Sequence, residues 1–248
     1  MQSLISLTFD DGLRCQFDNA VPILDSHDIP ATFFLIANRD LTHDRWLGHV
    51  NDWWKIDWRE DDIAALKELI NNGHEIGSHS VTHHPAKMQS NPRAEACESK
   101  ALIESWLETD VRSFCYPFYS SHAYLADAVK TAGYEQARGG GVFPVYSPRK
   151  SYYDVSGDPS FDRFNVDCRQ ISNNDRVSEW VRPGYWHVLT FHAIGSQGDG
   201  WEPISKARFA ALIADLAKYR DDGAVEILSF KDGAARLQTL RPRVDAPQ

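Results

Sequence analysis

A chain of 248 residues, 42% hydrophobic and 12% aromatic, has the length and apolar content for one large α/β domain with a sizeable core. Its net charge of −9 and pI near 5.5 argue against nucleic acid or an anionic membrane as a partner, since an acidic surface is repelled by both. No run approaches the ~18 apolar residues of a membrane helix, and the four cysteines, at 15, 97, 115 and 168, lack Cys-x-x-Cys spacing and read as free thiols.

The first strand begins at residue 4, which leaves no room for a signal peptide and predicts a cytoplasmic location. Leu4-Ile5-Ser6-Leu7-Thr8-Phe9 alternates apolar and small polar residues and runs into Asp10-Asp11-Gly12. Adjacent strand side chains point to opposite faces. The two carboxylates therefore share a site only if the chain bends between them, as Gly12 permits; in isolation Asp-Asp-Gly is better explained as a hairpin turn. Residues 16–27 read as a helix through Phe17, Ala20, Val21 and Leu24, and 31–36 as a buried strand. Residues 39–60 hold Trp46, Trp53, Trp54 and Trp58 in an insertion at a strand end, where Trp53 and Trp54 either line a sugar groove or anchor the loop to the core.

A helix over 61–72, stopped by Asn72-Gly73, leads to a strand over 74–79 that delivers His79, with His83 four residues on. That spacing puts both imidazoles on one side of a helical turn, about 5 to 6 Å apart at Cβ. Two imidazoles and a carboxylate make a three-ligand catalytic zinc site with an open position; equally, one histidine can cap the helix while the other bonds in the core. Further on come a helix over 92–108, a strand over 113–116 stopped by Pro117, and a helix over 123–131. A Gly-, Pro- and Tyr-rich rim loop over 139–160 follows, then a short strand over 164–167 and a short helix over 175–181. The chain closes with a strand over 186–191 ending at His192, an amphipathic helix over 205–219 and a last strand over 225–230.

Strand and helix alternate about seven or eight times, which calls for a parallel sheet with right-handed crossovers. The natural closure is a distorted or incomplete (β/α) barrel of about seven to eight strands, in a single domain over 1–248 with its core at about 4–235 and a loose tail at 241–248. Asp10, Asp11, His79, Pro117 and His192 all fall at C-terminal strand ends, the face on which such barrels build active sites.

Thr8-Phe9-Asp10-Asp11-Gly12, His79-Ser80-Val81-Thr82-His83, Phe114-Cys115-Tyr116-Pro117 and Thr190-Phe191-His192 resemble, in order and spacing, the polysaccharide deacetylases with a NodB homology domain, carbohydrate esterase family 4. The resemblance implies a distorted (β/α) barrel, one divalent metal (zinc, with cobalt or another transition ion as the alternative) held by Asp11, His79 and His83, Asp10 as general base and His192 as general acid. It also implies an oxyanion-binding amide around Tyr116, beside Pro117, and an acetylated carbohydrate as partner. The metal would lower the pKa of a water to about 7 and polarise the acyl oxygen. Where well-known members carry an arginine two positions before the proline, this chain has Cys115, so another group must orient Asp10; Arg163 is the candidate. The implied activity is removal of N-acetyl groups from amino sugars. The alternatives are an O-acetyl esterase or small-amide amidohydrolase on the same scaffold, and a silent carbohydrate-binding protein, against which the intact set of Asp10, Asp11, His79, His83 and His192 counts.

Overall fold

The computed structural model describes residues 1–39, 55–139 and 152–239. Trp53 and Trp54, most of the rim loop and the tail lie outside them. Among the described residues nine strands join in one sheet: β1 (Ser3–Phe9), β2 (Thr32–Leu35), β3 (Glu75–Ser78), β4 (Ser113–Cys115), β5 (Gln136–Arg138), β6 (Tyr152–Asp154), β7 (Arg169–Gln170), β8 (Tyr185–Phe191) and β9 (Val225–Ile227). The helices are α1 (Val21–Asp25), α2 (Glu60–Asn71), α3 (Pro85–Ser90), α4 (Pro92–Leu107), α5 (Ala123–Thr131), α6 (Lys206–Asp221) and α7 (Phe230–Thr239).

The strand order is β5-β4-β3-β2-β1-β8-β6, with β7 also on β8 and β9 also on β1. All pairings are parallel except β6 with β8. The wall curls because residues 163–171 bond to both of its ends. Val166 pairs with Ala137 and Gly139 beside β5, and β7 then runs along Leu189 and Thr190 of β8. The expected barrel is present, and its seam is this segment, where the short strand expected at 164–167 reduces to a single bridge at Val166.

Alternation along β1 sorts the core. Ile5, Leu7 and Phe9 pack with Leu24, Leu66 and Phe209 against the helices, while Leu4 joins Phe34, Trp186, Val188 and Phe230 inside the curl. The N-terminal mouth is closed by α7, a helix the sequence reading missed because Gly233 weakens its helical propensity. Burial of Phe230, Ala234 and Leu237 at i, i+4 and i+7 overrides that propensity. Its first amides are satisfied by side chains of the wall: Phe230 N donates to Thr32 Oγ1 at 2.8 Å and Lys231 N to Glu75 Oε2 at 2.9 Å. Glu75 also accepts from Thr32 and Ser113, and burial pushes its carboxyl above the usual range. α3 and the antiparallel β6 were likewise not foreseen, and the last strand ends at Ile227 to let α7 begin. No described helix is long and apolar enough to cross a membrane.

His187 on β8 lies opposite Tyr152 of β6, buried, with its Nε2 lacking a hydrogen-bond partner among the described residues. Burial, helped by the charges of Arg182 and Arg169, pushes the imidazole down to about 4. The unfolded chain then binds a proton that the folded chain refuses, so stability is full above pH 6.5 and falls as pH drops towards 4. Urea unfolding at pH 7 and pH 5 should show His187→Phe losing about 2 kcal/mol less than wild type between the two. Equal losses would mean that His187 is not held neutral.

Candidate active site

The C-terminal mouth is built from turns of unusual backbone geometry. Asp10 continues β1, its amide donating to Phe191 O at 3.1 Å, and the chain then reverses through Asp11 at φ 73° and Gly12 at φ 68°. This is the bend that brings both carboxylates to one mouth. Gln16 fixes it to β8: its Nε2 donates to Asp10 O at 2.6 Å and His192 O at 3.0 Å.

Beyond β3 no helix carries the histidine pair, contrary to the expectation from spacing. Ser80 at φ 67° and His83 at φ 52° turn the chain, and Glu95 of α4 holds the loop from outside. Its carboxylate accepts from Val81 N at 3.0 Å, Thr82 N at 2.9 Å and Thr82 Oγ1 at 2.7 Å. The rings of His79 and His83 still end 4.8 Å apart at their centroids. The signal for Glu95 was weak, because a glutamate on an amphipathic helix normally reads as solvated.

Asp11 Oδ1 lies 3.4 Å from His79 Nε2 and 3.6 Å from His83 Nε2, and all three side chains are buried. His79 Nδ1 is 2.9 Å from Cys115 O, which directs its other nitrogen towards Asp11. Burial pushes Asp11 up, but the His79 hydrogen bond and the charges of His83 and His192 outweigh it, leaving the carboxyl well below the usual range. Burial pushes His83 down to about 4, so its imidazole is neutral near pH 7. An ionised carboxylate and imidazoles with donor atoms within 4.8 Å of one another suit a divalent ion. Asp10, His79 and Cys115 are equally close, but burial pushes the Cys115 thiol up to about 11 and the Arg138 guanidinium touches both Asp10 and Cys115, so a second cation has no place there.

The group on Asp10 is Arg138, not Arg163. Arg138, fully buried at the end of β5, bonds both Asp10 oxygens, Cys115 Sγ at 2.7 Å, Cys168 Sγ at 2.8 Å and Thr190 Oγ1 at 2.9 Å. Arg163 instead has its guanidinium over the Phe164 ring, and its carbonyl accepts from Ala137 N in the seam. The Tyr116 amide donates to Arg138 O at 2.9 Å, so an oxyanion donor in this turn would have to be a neighbouring amide and not that of Tyr116 itself. Pro117 opens a turn in which Phe118 and Tyr119, both at positive φ, put their rings against His83 and His192. His192 Nε2 stands 3.7 Å from Asp10 Oδ2. Burial holds His192 below the usual histidine range, against the raising effect of Asp10 and Asp11. Trp201, which the sequence reading did not single out, packs against it at 4.6 Å between centroids.

The polysaccharide deacetylase family model matches residues 1–137. The chain belongs to that family. As a polysaccharide deacetylase family member it is 27% identical over 141 residues to the peptidoglycan-N-acetylglucosamine deacetylase of Bacillus cereus, covering 54% of this chain and 55% of that one. It is 25% identical over 140 residues to the putative polysaccharide deacetylase YxkH of Bacillus subtilis, covering 54% and 43%. The alignments thus span about half the length of these relatives. In fold it is similar to the carbohydrate esterase domain of a multidomain xylanase from the hindgut metagenome of Trinervitermes trinervoides, with TM-score 0.57, 16% identity, and 98% and 95% of the two chains covered. That identity speaks to the fold alone.

Since Glu95 touches none of the three candidate ligands but fixes the loop of one, Glu95→Ala should weaken divalent-ion binding about 10- to 100-fold. Competition with a chromophoric chelator measures this. An unchanged affinity would show that the loop holds its shape without the carboxylate.

Proposed function

We propose that this chain is a divalent-metal-dependent hydrolase that removes N-acetyl groups from amino sugars of an oligo- or polysaccharide. The observation that carries the reading is the convergence, at one mouth, of Asp11, His79 and His83 with a second carboxylate and a third histidine 3.7 Å apart. The B. cereus relative's name supports the substrate class. Asp11, His79 and His83 would hold the ion, and two imidazoles with one carboxylate favour zinc, with cobalt the next choice. When bound, the ion supplies Lewis acidity towards water and the acyl oxygen.

The side chains do the rest. Asp10, kept in place by Arg138, takes the proton from the attacking water. His192, 3.7 Å from Asp10 and held below the usual histidine range, takes over the proton that Asp10 has accepted and passes it to the departing nitrogen. Acetate release from N-acetylglucosamine oligomers and O-acetylated xylan, with and without chelator, tests the reading. Release from the oligomers that chelator abolishes is expected; release from xylan alone would make the protein an O-acetyl esterase.

Asp10→Asn should keep the ion and lose about 10²- to 10⁴-fold in kcat, because the amide cannot accept a proton. It should also be less stable by about 3 kcal/mol, because Arg138 loses its buried counter-charge. Metal content, kcat and thermal unfolding of one preparation separate the two effects. Near-normal turnover would make Asp10 structural.

His192→Ala should cost more on an N-acetylated than on an O-acetylated sugar, since an amine must be protonated to leave whereas an alkoxide needs less help. Comparing kcat/KM of wild type and variant on both substrates measures the difference. Equal losses would assign His192 to orientation.

A further inference from the structure

We infer that Trp201, flanked by Tyr119, is the platform on which the pyranose ring bearing the scissile acyl group rests, which makes it a specificity-determining residue. The inference rests on the deacetylase reading and names the residue by which that site would take a sugar ring in preference to a small linear amide. Among the described residues three large apolar side chains are exposed, Met1, Tyr124 and Trp201. Trp201 is the one that packs on a residue of the mouth. Its ring stands at 86° to His192, with Tyr119 6.5 Å away, and it is 43% exposed whereas His192 is 6% exposed. The two rings therefore meet edge to face, and much of Trp201 meets solvent.

The loop carrying Trp201 is built to hold it there. Ala193 N donates to Trp201 O at 3.3 Å, Ile204 N to Ala193 O at 2.9 Å and Gly195 N to Ile204 O at 2.8 Å, so the loop closes as a narrow neck on the end of β8. Asp199 Oδ2 accepts from Ser196 N and from Ser196 Oγ at 2.8 Å. Gly200, at φ 142°, lets the backbone lie on Leu13, where a Cβ would come within 2.6 Å of Leu13 Cδ1. Leu13, Cys15 and Ala193 form their own small apolar cluster beneath it. The loop is thus fastened to the turn that carries Asp11, and indole, imidazole and candidate ion site keep fixed relative positions. Tyr119 is fixed likewise, its Oη donating to Gln170 Oε1 at 2.7 Å.

A cover for His192 needs only a buried aliphatic group. An indole left partly in solvent on a fastened loop has a flat apolar face to offer, and the matching surface is the C–H face of a pyranose, whose hydroxyls stay at the wet rim. A small linear amide has no such face. Phe118 lies instead on His83, 4.5 Å between centroids.

The test is acetate release by metal-loaded wild type, Trp201→Ala and Trp201→Phe from an N-acetylglucosamine tetramer and from ethyl acetate, a linear ester with no ring to stack. Trp201→Ala should raise KM for the tetramer roughly 5- to 10-fold, the size of losing one aromatic face, with kcat changing less. Its loss in kcat/KM should be several-fold greater on the tetramer than on the ester, and Trp201→Phe should recover most of it. Equal losses on both substrates, or an unchanged KM for the tetramer, would overturn the inference. If wild type cleaves the ester but releases nothing from the tetramer, the deacetylase reading fails by itself. Calorimetric binding of the tetramer then decides the platform: weaker binding to Trp201→Ala upholds it, and equal or absent binding overturns it.

Discussion

A guanidinium enclosed in an apolar barrel is tolerable only where a carboxylate and further acceptors surround it, and the C-terminal mouth of this sheet is arranged around one such group. Arg138 meets that requirement with both oxygens of Asp10, two thiols and the Thr190 hydroxyl, which is itself 3.2 Å from Thr8 Oγ1 on the neighbouring strand. The pair fixes the division of labour between the adjacent aspartates. With Asp10 drawn inwards by the charge, regular strand alternation would send Asp11 out of the barrel. The left-handed turn at Asp11 brings it back over the mouth, within reach of His79 and His83.

Backbone strain is concentrated where that reach is needed. Nine non-glycine residues among those described have positive φ, and six of them, Asp11, Ser80, His83, Phe118, Tyr119 and Glu202, stand on the turns around the site. Such angles are uncommon for bulky residues and persist only when neighbours hold them. Here the holders are identifiable: Gln16 for the aspartate turn, Glu95 for the histidine loop, Gln170 for Tyr119, and Leu13 with Gly200 for the tryptophan loop. The sheet supplies a rigid rim, and single polar side chains convert it into a converging set.

What the sequence made legible follows from this division. Periodicity reports burial, so β1, β2, β3 and β8 and the long helices α2, α4, α5 and α6 were readable, and the carboxylates and histidines at their ends with them. The route by which His83 reaches the site was not, because four-residue spacing is the same in a helix and in a left-handed loop held by a distant glutamate. Arg138 was missed in favour of Arg163 for a related reason. It ends a three-residue strand and precedes Gly139-Gly140-Gly141, which reads as loop, and only the sheet pairing shows its side chain turned inwards to Asp10. Glu75, seen in sequence as one more strand residue, proves to join β2, β4 and α7 at the opposite mouth.

The family match ends at residue 137, one position before Arg138, so the candidate ligands lie inside it while Arg138, His192 and Trp201 lie beyond. Two stretches that meet at one mouth have to be held in register, and the structure does this at β1 and β8. Their six-residue parallel pairing runs from Leu4 with Trp186 to Phe9 with Phe191, delivering Asp10 and His192 side by side. Gln16 then binds the two departing carbonyls with one amide, so the spacing of carboxylate and imidazole depends on a single side chain rather than on either loop. The pair is therefore held by strand pairing and one amide, independently of the loops that surround it. The placement of Asp10 beside His192 thus belongs to the sheet and not to the loops around it.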